Sequence, residues 1–325
     1  MLLPAEKVFE LMNQQGSRFQ PFLFGIDFDV KQGFFIDPAQ AGDTGIFFNI
    51  NGVGNHFPYV AKKESINLVK HPVGLLQYNK AFEIIHRNLV EGNSYLTNLT
   101  FPTDIELNIS LPEIFARSNA RYRLLFKDEF VVFSPEIFVQ IDNGIIRSFP
   151  MKGTIDASLP DAREQILADP KETAEHNTIV DLIRNDLSKV ASNVKVDQFR
   201  YVERIDTHEK SLLQVSSEIS GKLTGNCGAR LGDIFRELLP AGSVSGAPKK
   251  KTLQIIHEAE TYSRGFYTGV SGYFDGSKLD SGVMIRFIKK ENEKLIFCSG
   301  GGITANSSPL TEYNELIDKI YVPII

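Results

Sequence analysis

The sequence predicts an α+β protein whose sheets are mainly antiparallel. Short apolar and aromatic runs of strand length dominate the first part of the 325-residue chain, and helical periodicity dominates separate blocks further on. Strands and helices are therefore grouped instead of alternating regularly, which disfavours a doubly wound parallel sheet. No internal repeat, low-complexity tract or flexible linker divides the chain, so one domain over residues 1–325 is predicted.

The individual elements follow from local patterns in chain order. Amphipathic or helical spacing predicts helices over residues 1–16, 74–91, 161–191, about 229–239, from about 248, and 310–321. Runs rich in Phe, Ile and Val predict strands over residues 22–30, 33–37, 45–52, 121–128, 129–135, 137–144, 144–150, 267–275, 282–290 and 294–302. The four strands within residues 121–150 are predicted to form a meander, with turns at Lys127-Asp128 and Asp142-Asn143-Gly144.

Composition limits the classes of partner and the cellular setting. The formal net charge of -5 disfavours nucleic acid as a partner. No apolar run approaches the roughly 20 residues of a membrane span, and residues 1–16 lack the basic start of a signal peptide. Two cysteines make no disulfide framework or four-ligand zinc site, and the histidines lack metal spacing. These features predict a cytoplasmic enzyme or binding protein, without a membrane.

The segment "PMKGT", residues 150–154, places one lysine between a proline and a glycine. Pro150 stiffens the backbone, and Gly153 permits close approach by a ligand or another strand. Lys152 is therefore held on a constrained segment, which a solvated surface lysine does not need. The segment alone leaves both interpretations open, because most lysines are solvated.

Carboxylates recur on two of the predicted helices. Glu172 and Glu175 lie near the start of one helical run, and Glu312 and Glu315 lie one turn apart on the last, with Lys319 four residues beyond Glu315. Complementation of the helix dipole and an i,i+4 ion pair would explain either segment alone. The alternative is that both helices direct carboxylates at one magnesium ion, which takes few protein carboxylates and leaves sites for an anionic ligand.

Two glycine-containing segments differ in what they indicate. Gly300, Gly301 and Gly302 close a predicted strand, and three adjacent glycines suggest backbone amides open to a ligand anion. The segment "GSVSGAPKKKT", residues 242–252, is only superficially like a phosphate-binding loop, because Pro248 stands where a Gly-Lys pair should open the helix.

Six motifs occur together and carry a family resemblance. They are "PMKGT", "AEHNTIVDLIRNDLSKV", "PAGSVSGAPKKKTLQIIHEAE", "RGFYTGVSGY", "MIRF" and "GGGITANSSPLTEYNELIDK". In this order and spacing, the chain resembles the chorismate-utilising enzymes (the anthranilate synthase component I family) over about residues 75–325. Residues 1–74 are expected to form a shortened N-terminal part, in which little of the family pattern is recognisable. The resemblance implies two antiparallel β-sheets packed face to face and flanked by helices, with the active site in a cleft.

The resemblance implies chorismate, a dicarboxylate, as the substrate. Glu175 and Glu315 would coordinate Mg²⁺, while Arg286 would hold the second carboxylate in a fork. Glu136 matches the family's general acid, with a surface glutamate at a strand end as the alternative. Glu312 would act through water. The remaining substrate-binding residues implied are Gly153, Thr154, Tyr267, Gly300, Gly301, Gly302 and Lys319.

The same resemblance gives Lys152 a catalytic role. Members that form 4-amino-4-deoxychorismate, the precursor of 4-aminobenzoate and folate, carry lysine here, whereas anthranilate synthases usually carry alanine. The lysine would attack C2 of chorismate and expel the C4 hydroxyl, after which ammonia enters at C4. No glutaminase segment is recognisable, so ammonia is expected from a separate glutamine amidotransferase subunit. The alternatives are an anthranilate synthase component I and a non-catalytic chorismate-binding protein.

Two positions depart from the family pattern. Leu96 replaces the glutamine or lysine often found there, and a lysine at that position activates water in isochorismate synthases, so Leu96 disfavours that activity. Gln214 stands where the family has a histidine.

Overall fold

All nineteen described strands lie in two antiparallel sheets in the computed structural model, which describes residues 1–59, 65–206 and 211–322. The strands are β1 (Leu3–Pro4), β2 (Phe22–Ile26), β3 (Gln32–Ile36), β4 (Ile46–Ile50), β5 (Val53–Gly54), β6 (Leu68–His71), β7 (Leu96–Leu107), β8 (Tyr122–Phe126), β9 (Phe130–Ser134), β10 (Ile137–Asp142), β11 (Ile145–Ser148), β12 (Met151–Asp156), β13 (Ser192–Asp206), β14 (Ser211–Lys222), β15 (Gly246–Ala247), β16 (Val270–Phe274), β17 (Leu279–Val283), β18 (Phe287–Glu291) and β19 (Lys294–Ile303). The helices are α1 (Ala5–Ser17), α2 (Leu75–Val90), α3 (Leu111–Arg117), α4 (Ala162–Ala168), α5 (Pro170–Leu187), α6 (Leu231–Leu238), α7 (Gly242–Ser245), α8 (Lys249–Ala259) and α9 (Pro309–Asp318).

Strand order defines the two sheets. Sheet 1 runs β1-β3-β2-β16-β17-β10-β11-β14-β12, with β13 paired to β14. Sheet 2 runs β15-β7-β19-β18-β9-β8-β4-β5, with β6 paired to β7. The predicted class, α+β with two antiparallel sheets flanked by helices, is confirmed. No helix in the described ranges is long and apolar enough to cross a membrane.

Apolar side chains fill the space between the sheets and under the helices. Between the sheets, Leu23 and Phe34 of sheet 1 share a buried cluster with Phe48 and Phe126 of sheet 2. A larger cluster lies between sheet 1 and helices α1, α5 and α6. Helices α2, α8 and α9 bury a further cluster against β7 and β19 of sheet 2. This layering leaves the ends of the strands, where the chain passes between sheets, to carry polar groups.

The predicted meander over residues 121–150 is wrong as a single unit. Both predicted turns are present, with Lys127 and Asn143 in the left-handed region at φ 51° and 50°. However, the β8–β9 hairpin lies in sheet 2 and the β10–β11 hairpin lies in sheet 1. The chain changes sheet at Pro135 and Glu136, where proline cannot donate a hydrogen bond to a continuing ladder.

The strand predicted over residues 282–290 is also divided. Strand β17 ends in sheet 1 at Val283, and β18 begins in sheet 2 at Phe287. Between them Arg286 has φ 54°, a conformation that a regular strand cannot contain. Strands β7, β12, β13 and β14 were not among the predicted strands. In the β13–β14 pair, register shifts at three places interrupt the alternation that would have indicated a strand.

We expect Phe235→Ala to lower the free energy of unfolding by about 3–5 kcal/mol, because Phe235 is fully buried and its ring meets Phe24 edge-on at 4.9 Å. Urea denaturation measures this change. Phe19→Ala is the matched control, since Phe19 is 65% exposed, and it should change stability by about 0.5 kcal/mol or less. Equal losses in the two variants would contradict the described packing of α6.

Candidate active site

Two neighbouring crossings between the sheets place an acid and an arginine side by side. Strand β9 pairs with β18 in sheet 2, and β10 pairs with β17 in sheet 1. Glu136 lies between β9 and β10, and Arg286 lies between β17 and β18. The Phe133 N–H donates to the Arg286 carbonyl at 3.0 Å, and the Val283 N–H donates to the Glu136 carbonyl at 3.1 Å. The two crossings therefore hold each other in register.

A β-bulge directs Lys152. Opposite the step from Ser216 to Gln214 on β14, strand β12 advances from Met151 to Thr154, so it contains one extra residue. Gly153 has φ 81° inside this bulge, a conformation that glycine adopts without strain. The constrained lysine segment predicted from sequence is therefore a bulged strand, and bulges of this kind re-aim side chains.

Lys152 reaches from sheet 1 to helix α5 and to sheet 2. Its Nζ lies 3.1 Å from Glu175 Oε2, and the Glu175 side chain is only 9% exposed. A Cβ atom built on Gly302 would lie 3.3 Å from Lys152 Nζ and 3.1 Å from Leu96 Cδ1. The absence of a side chain at Gly302 therefore gives the lysine its space, and Leu96 supplies an apolar neighbour.

Within the described residues, the glycine run is paired with a strand on one side only, and its other side is called the open edge. Strand β7 covers one side of Ser299–Ile303, but β18 ends its pairing at Cys298, so no described strand covers the other side. On the far edge of β7, the Thr100 N–H and the Asn98 carbonyl bind the side chains of Glu260 and Arg264. Because peptide groups alternate along an antiparallel ladder, their partners Gly300 and Gly302 direct N–H groups to the open side.

The outcome for the three glycines is therefore divided. Gly301 pairs with Leu99 and directs its peptide groups into the ladder, whereas Gly300 and Gly302 have amides at the open edge. Two of the three predicted amide donors thus face the space where an anion could bind. The Lys319 Nζ donates to the Gly300 carbonyl at 3.0 Å, so this lysine also lies at the open edge.

Helix α9 brings carboxylates to the same strand. Lys319 Nζ lies 2.7 Å from Glu315 Oε1, which confirms the predicted i,i+4 ion pair. A Cβ atom built on Gly301 would lie 3.8 Å from Glu312 Oε2 and 3.9 Å from Glu315 Oε1. Glu312 is buried and accepts a hydrogen bond from Ser307 at 2.8 Å. Glu315 therefore approaches Gly301, whereas Gly302 is approached by Lys152, the ion-pair partner of Glu175.

Glu136 has the environment of an acid. Although the residue is partly exposed, its carboxyl group lies inside the protein, and burial raises its pKa above the ordinary value. A hydrogen bond from Ser243 Oγ at 2.5 Å opposes this rise, as do the charges of Lys152, Arg286 and Lys319. The three predicted cationic residues therefore all act on the predicted acid.

Arg286 and Tyr267 lie at the sheet 2 side of the crossing. The Arg286 guanidinium lies 5.2 Å from the centre of the Tyr321 ring, and its Nε is buried with no hydrogen-bond partner. Burial raises the pKa of the Tyr267 hydroxyl, which the charge of Arg286 opposes. A buried, unpaired guanidinium N–H is costly, so this group fits an anionic ligand that accepts from it.

Not every predicted residue is equally close to this centre. Thr154 is exposed and pairs in register with Gln214, beyond the bulge. Gln214 donates to the Met151 sulfur at 3.2 Å. A Cβ atom built on Gly153 would lie 3.1 Å from Glu172 Oε2, so Gly153 faces the start of α5. The lining of a substrate ring by Gly153 and Thr154 stays a prediction.

The donor set fits a magnesium ion in its chemistry. Glu175 and Glu315 offer only oxygen ligands, which hard divalent cations prefer, and each already neutralises a lysine ammonium. No cluster of three or more His, Cys, Asp or Glu side chains suited to a metal occurs within the described residues. A site with two protein carboxylates would leave positions for water and substrate.

Sequence reasoning missed Ser243 and the buried pair of Glu260 and Arg264. All three lie in motifs that were noticed for other reasons, and nothing in their spacing indicates the partners that folding gives them.

Two cavities, of about 10 Å³ and about 290 Å³, are lined by other residues. The site is identified here by its converging charges.

Comparisons with known proteins identify the family of this chain. The sequence pattern of the chorismate binding enzyme family matches residues 54–324. An uncharacterised PabA-like protein of Pasteurella multocida is 51% identical over 313 residues, covering 96% of this chain and 97% of that protein. Aminodeoxychorismate synthase component 1 of Salmonella typhimurium is 32% identical over 259 residues, covering 75% of this chain and 56% of that protein. The chain belongs to the chorismate-binding enzyme family.

A solved structure supports the same class. Anthranilate synthase component I from Streptococcus pneumoniae matches with a TM-score of 0.66 and 26% identity, covering 80% of this chain and 60% of that one.

We expect the Glu136→Gln variant to become increasingly stable relative to the wild type as the pH rises from 4 to 8. Both folded and unfolded carboxyl groups are protonated at low pH, but the unfolded group ionises first because burial raises the folded pKa. The contribution of Glu136 to the stability of the wild type therefore falls over this interval. Glutamine does not ionise, so the variant shows no such fall. Urea denaturation at several pH values measures the difference, with the exposed Glu129→Gln as control. A difference independent of pH would contradict the raised pKa.

Proposed function

We propose that this protein is an aminodeoxychorismate synthase component 1, which converts chorismate and ammonia to 4-amino-4-deoxychorismate. The observation that supports this most is the position of Lys152. A bulge directs it to Glu175 and to the open edge at Gly302, where Arg286, Lys319 and two backbone amides also converge. A protein of net charge -5 thus concentrates positive groups where a dicarboxylate would bind.

In the proposed reaction, Lys152 is the nucleophile. The neutral amine forms a bond to C2 of chorismate, both ring double bonds shift (C1=C2 to C1=C6, and C5=C6 to C4=C5), and the C4 hydroxyl departs as water after Glu136 supplies a proton. Ammonia then forms a bond at C4, the double bonds shift back and the lysine leaves from C2. The proton released by the added ammonia returns to Glu136, which regenerates the enzyme. Glu136 suits its role because burial keeps its proton to a higher pH than usual.

Magnesium would be held by Glu175 and Glu315, with Glu312 behind them. When bound, the ion would supply positive charge that binds a substrate carboxylate. Lys152 must be released from Glu175, its ion-pair partner at 3.1 Å, and lose a proton before it can attack. Arg286 and the amides of Gly300 and Gly302 would orient the substrate against the lysine.

A glutamine amidotransferase is the proposed source of ammonia. The support is the name of the Salmonella typhimurium relative, which describes one component of a synthase. The product would then serve as the precursor of 4-aminobenzoate and folate.

Anthranilate synthesis is the second candidate function, supported by the Streptococcus pneumoniae structure at 26% identity. A non-catalytic chorismate-binding protein is the third. Product analysis separates all of them, because anthranilate is fluorescent and a binding protein forms no product.

We expect Lys152→Ala to lower kcat/KM for chorismate, with magnesium and ammonium supplied, by about 1,000-fold or more, because the variant lacks the nucleophile. Lyase-coupled formation of 4-aminobenzoate and mass spectrometry measure this. Lys195→Ala is the control, since Lys195 is 70% exposed on β13, and it should keep full activity. Formation of anthranilate by the wild type would refute the proposed product, and a fully active Lys152→Ala would refute the nucleophile.

We expect Glu175→Gln and Glu315→Gln each to weaken Mg²⁺ binding by about 10-fold or more, because an amide oxygen carries no charge to offset that of the cation. Isothermal titration calorimetry with Mg²⁺ measures the affinity independently of turnover. The exposed Glu106→Gln serves as control. Unchanged affinity in both variants would place the metal elsewhere.

A further inference from the structure

A buried ion pair lies behind the glycine run, on the far side of β7. Glu260 and Arg264 have side chains only 2% and 1% exposed, and Arg264 Nη2 lies 2.6 Å from Glu260 Oε1. The Arg264 guanidinium also lies 4.2 Å from the centre of the Phe28 ring. Neither residue is among those given a role in the proposed reaction.

The pair acts as a short substitute for a neighbouring strand. Strand β15 pairs with β7 at Leu96 and Thr97, and β6 pairs with it from Asp104 onward. Between these two pairings, Glu260 Oε1 accepts from the Thr100 N–H at 2.9 Å, and Arg264 Nη2 donates to the Asn98 carbonyl at 2.7 Å. The same carboxylate oxygen accepts from Thr100 Oγ1 at 2.8 Å.

These contacts determine the orientation of the glycine strand. Thr100 pairs with Gly300, and Asn98 pairs with Gly302. Because Thr100 and Asn98 direct their peptide groups to the ion pair, Gly300 and Gly302 direct theirs to the open edge. A Cβ atom on Gly300 would lie 2.5 Å from Thr100 Cγ2, so the Thr100 side chain occupies the space that a side chain at position 300 would need.

Arg264 also contacts helix α7, which carries the hydrogen-bond partner of Glu136. Arg264 Nη1 donates to the Val244 carbonyl at 2.9 Å, and it approaches Thr268 Oγ1 at 3.3 Å. Val244 is the neighbour of Ser243, whose hydroxyl donates to Glu136. The Arg264 guanidinium therefore contacts both β7, which lies behind the glycine run, and α7, which carries Ser243, the hydrogen-bond partner of Glu136.

We propose that Glu260 and Arg264 are positioning residues for the reaction, fixing the glycine edge and the Ser243–Glu136 contact in one geometry. A buried pair is a costly way to gain stability, because desolvation opposes the attraction between its charges. Its value here is directional, since a guanidinium can bind several carbonyls in fixed directions and a lysine cannot. This inference rests on the proposed function for its catalytic readout.

Arg264→Lys and Glu260→Gln test the proposal, with two reference variants. Arg117→Lys is the structural control, because Arg117 and Glu113 form another largely buried i,i+4 pair, in α3. Ser243→Ala reports what loss of the hydrogen bond to Glu136 does alone. Retention of fold is checked by cooperative thermal unfolding. Glu260→Gln preserves shape, so it keeps the test open if Arg264→Lys does not fold.

We expect Arg264→Lys to lower kcat/KM for chorismate by about 10-fold to 100-fold, and Glu260→Gln to lower it by less, because small misplacements of catalytic groups are costly. The alkaline limb of the pH profile should move to higher pH in Arg264→Lys, as in Ser243→Ala. The charges of Lys152, Arg286 and Lys319 near Glu136 are unchanged in these variants. The loss of the Ser243 hydrogen bond raises the pKa of Glu136, so the carboxyl group stays protonated to a higher pH.

The proposal is overturned if the folded Arg264 and Glu260 variants lose no more activity than Arg117→Lys, or lose activity with an unmoved alkaline limb. A wild type that binds chorismate without turnover refutes the proposed function instead. In that case chorismate affinity, measured by calorimetry, replaces the rate. Weaker binding in Arg264→Lys than in Arg117→Lys then supports positioning of the glycine edge, and equal binding overturns it.

Discussion

The double crossing between the sheets is the constraint on which the site depends. Two adjacent chain segments leave one sheet and enter the other, and a pair of backbone hydrogen bonds ties Phe133 to Arg286 and Val283 to Glu136. Strand pairing on both sides of the crossing leaves little freedom to either segment. An acid and a cation that are 150 residues apart in sequence, by the difference of their numbers, therefore meet at one place.

Charge concentration follows from this geometry. Lys152, Arg286 and Lys319 come from different elements, yet each affects the pKa of the Glu136 carboxyl. Glu175 and Glu315 form ion pairs with the two lysines. A dicarboxylate and a divalent cation could together replace both ion pairs without leaving a buried charge unpaired. The arrangement thus suits a substrate whose charge matches that of the protein groups it displaces.

Local sequence was informative where the chemistry is local. The helix that carries Glu175 and the i,i+4 pair of Glu315 and Lys319 were predictable from spacing, because one turn of helix fixes those neighbours. The family resemblance supplied the roles expected of Lys152, Glu136 and Arg286. Spacing could not indicate Ser243, or the contacts of Glu260 and Arg264 with β7, because those partners lie more than a hundred residues away along the chain.

By itself, the sequence determined the α+β class, the hairpin turns and most helices, since periodicity and turn residues act over a few positions. Only the tertiary structure decided that residues 121–150 divide between two sheets, and that Arg286 interrupts a strand. It also decided which glycine amides face the open edge. Strand pairing is set by partners distant in sequence, and a one-residue change of register would reverse every peptide group along β19.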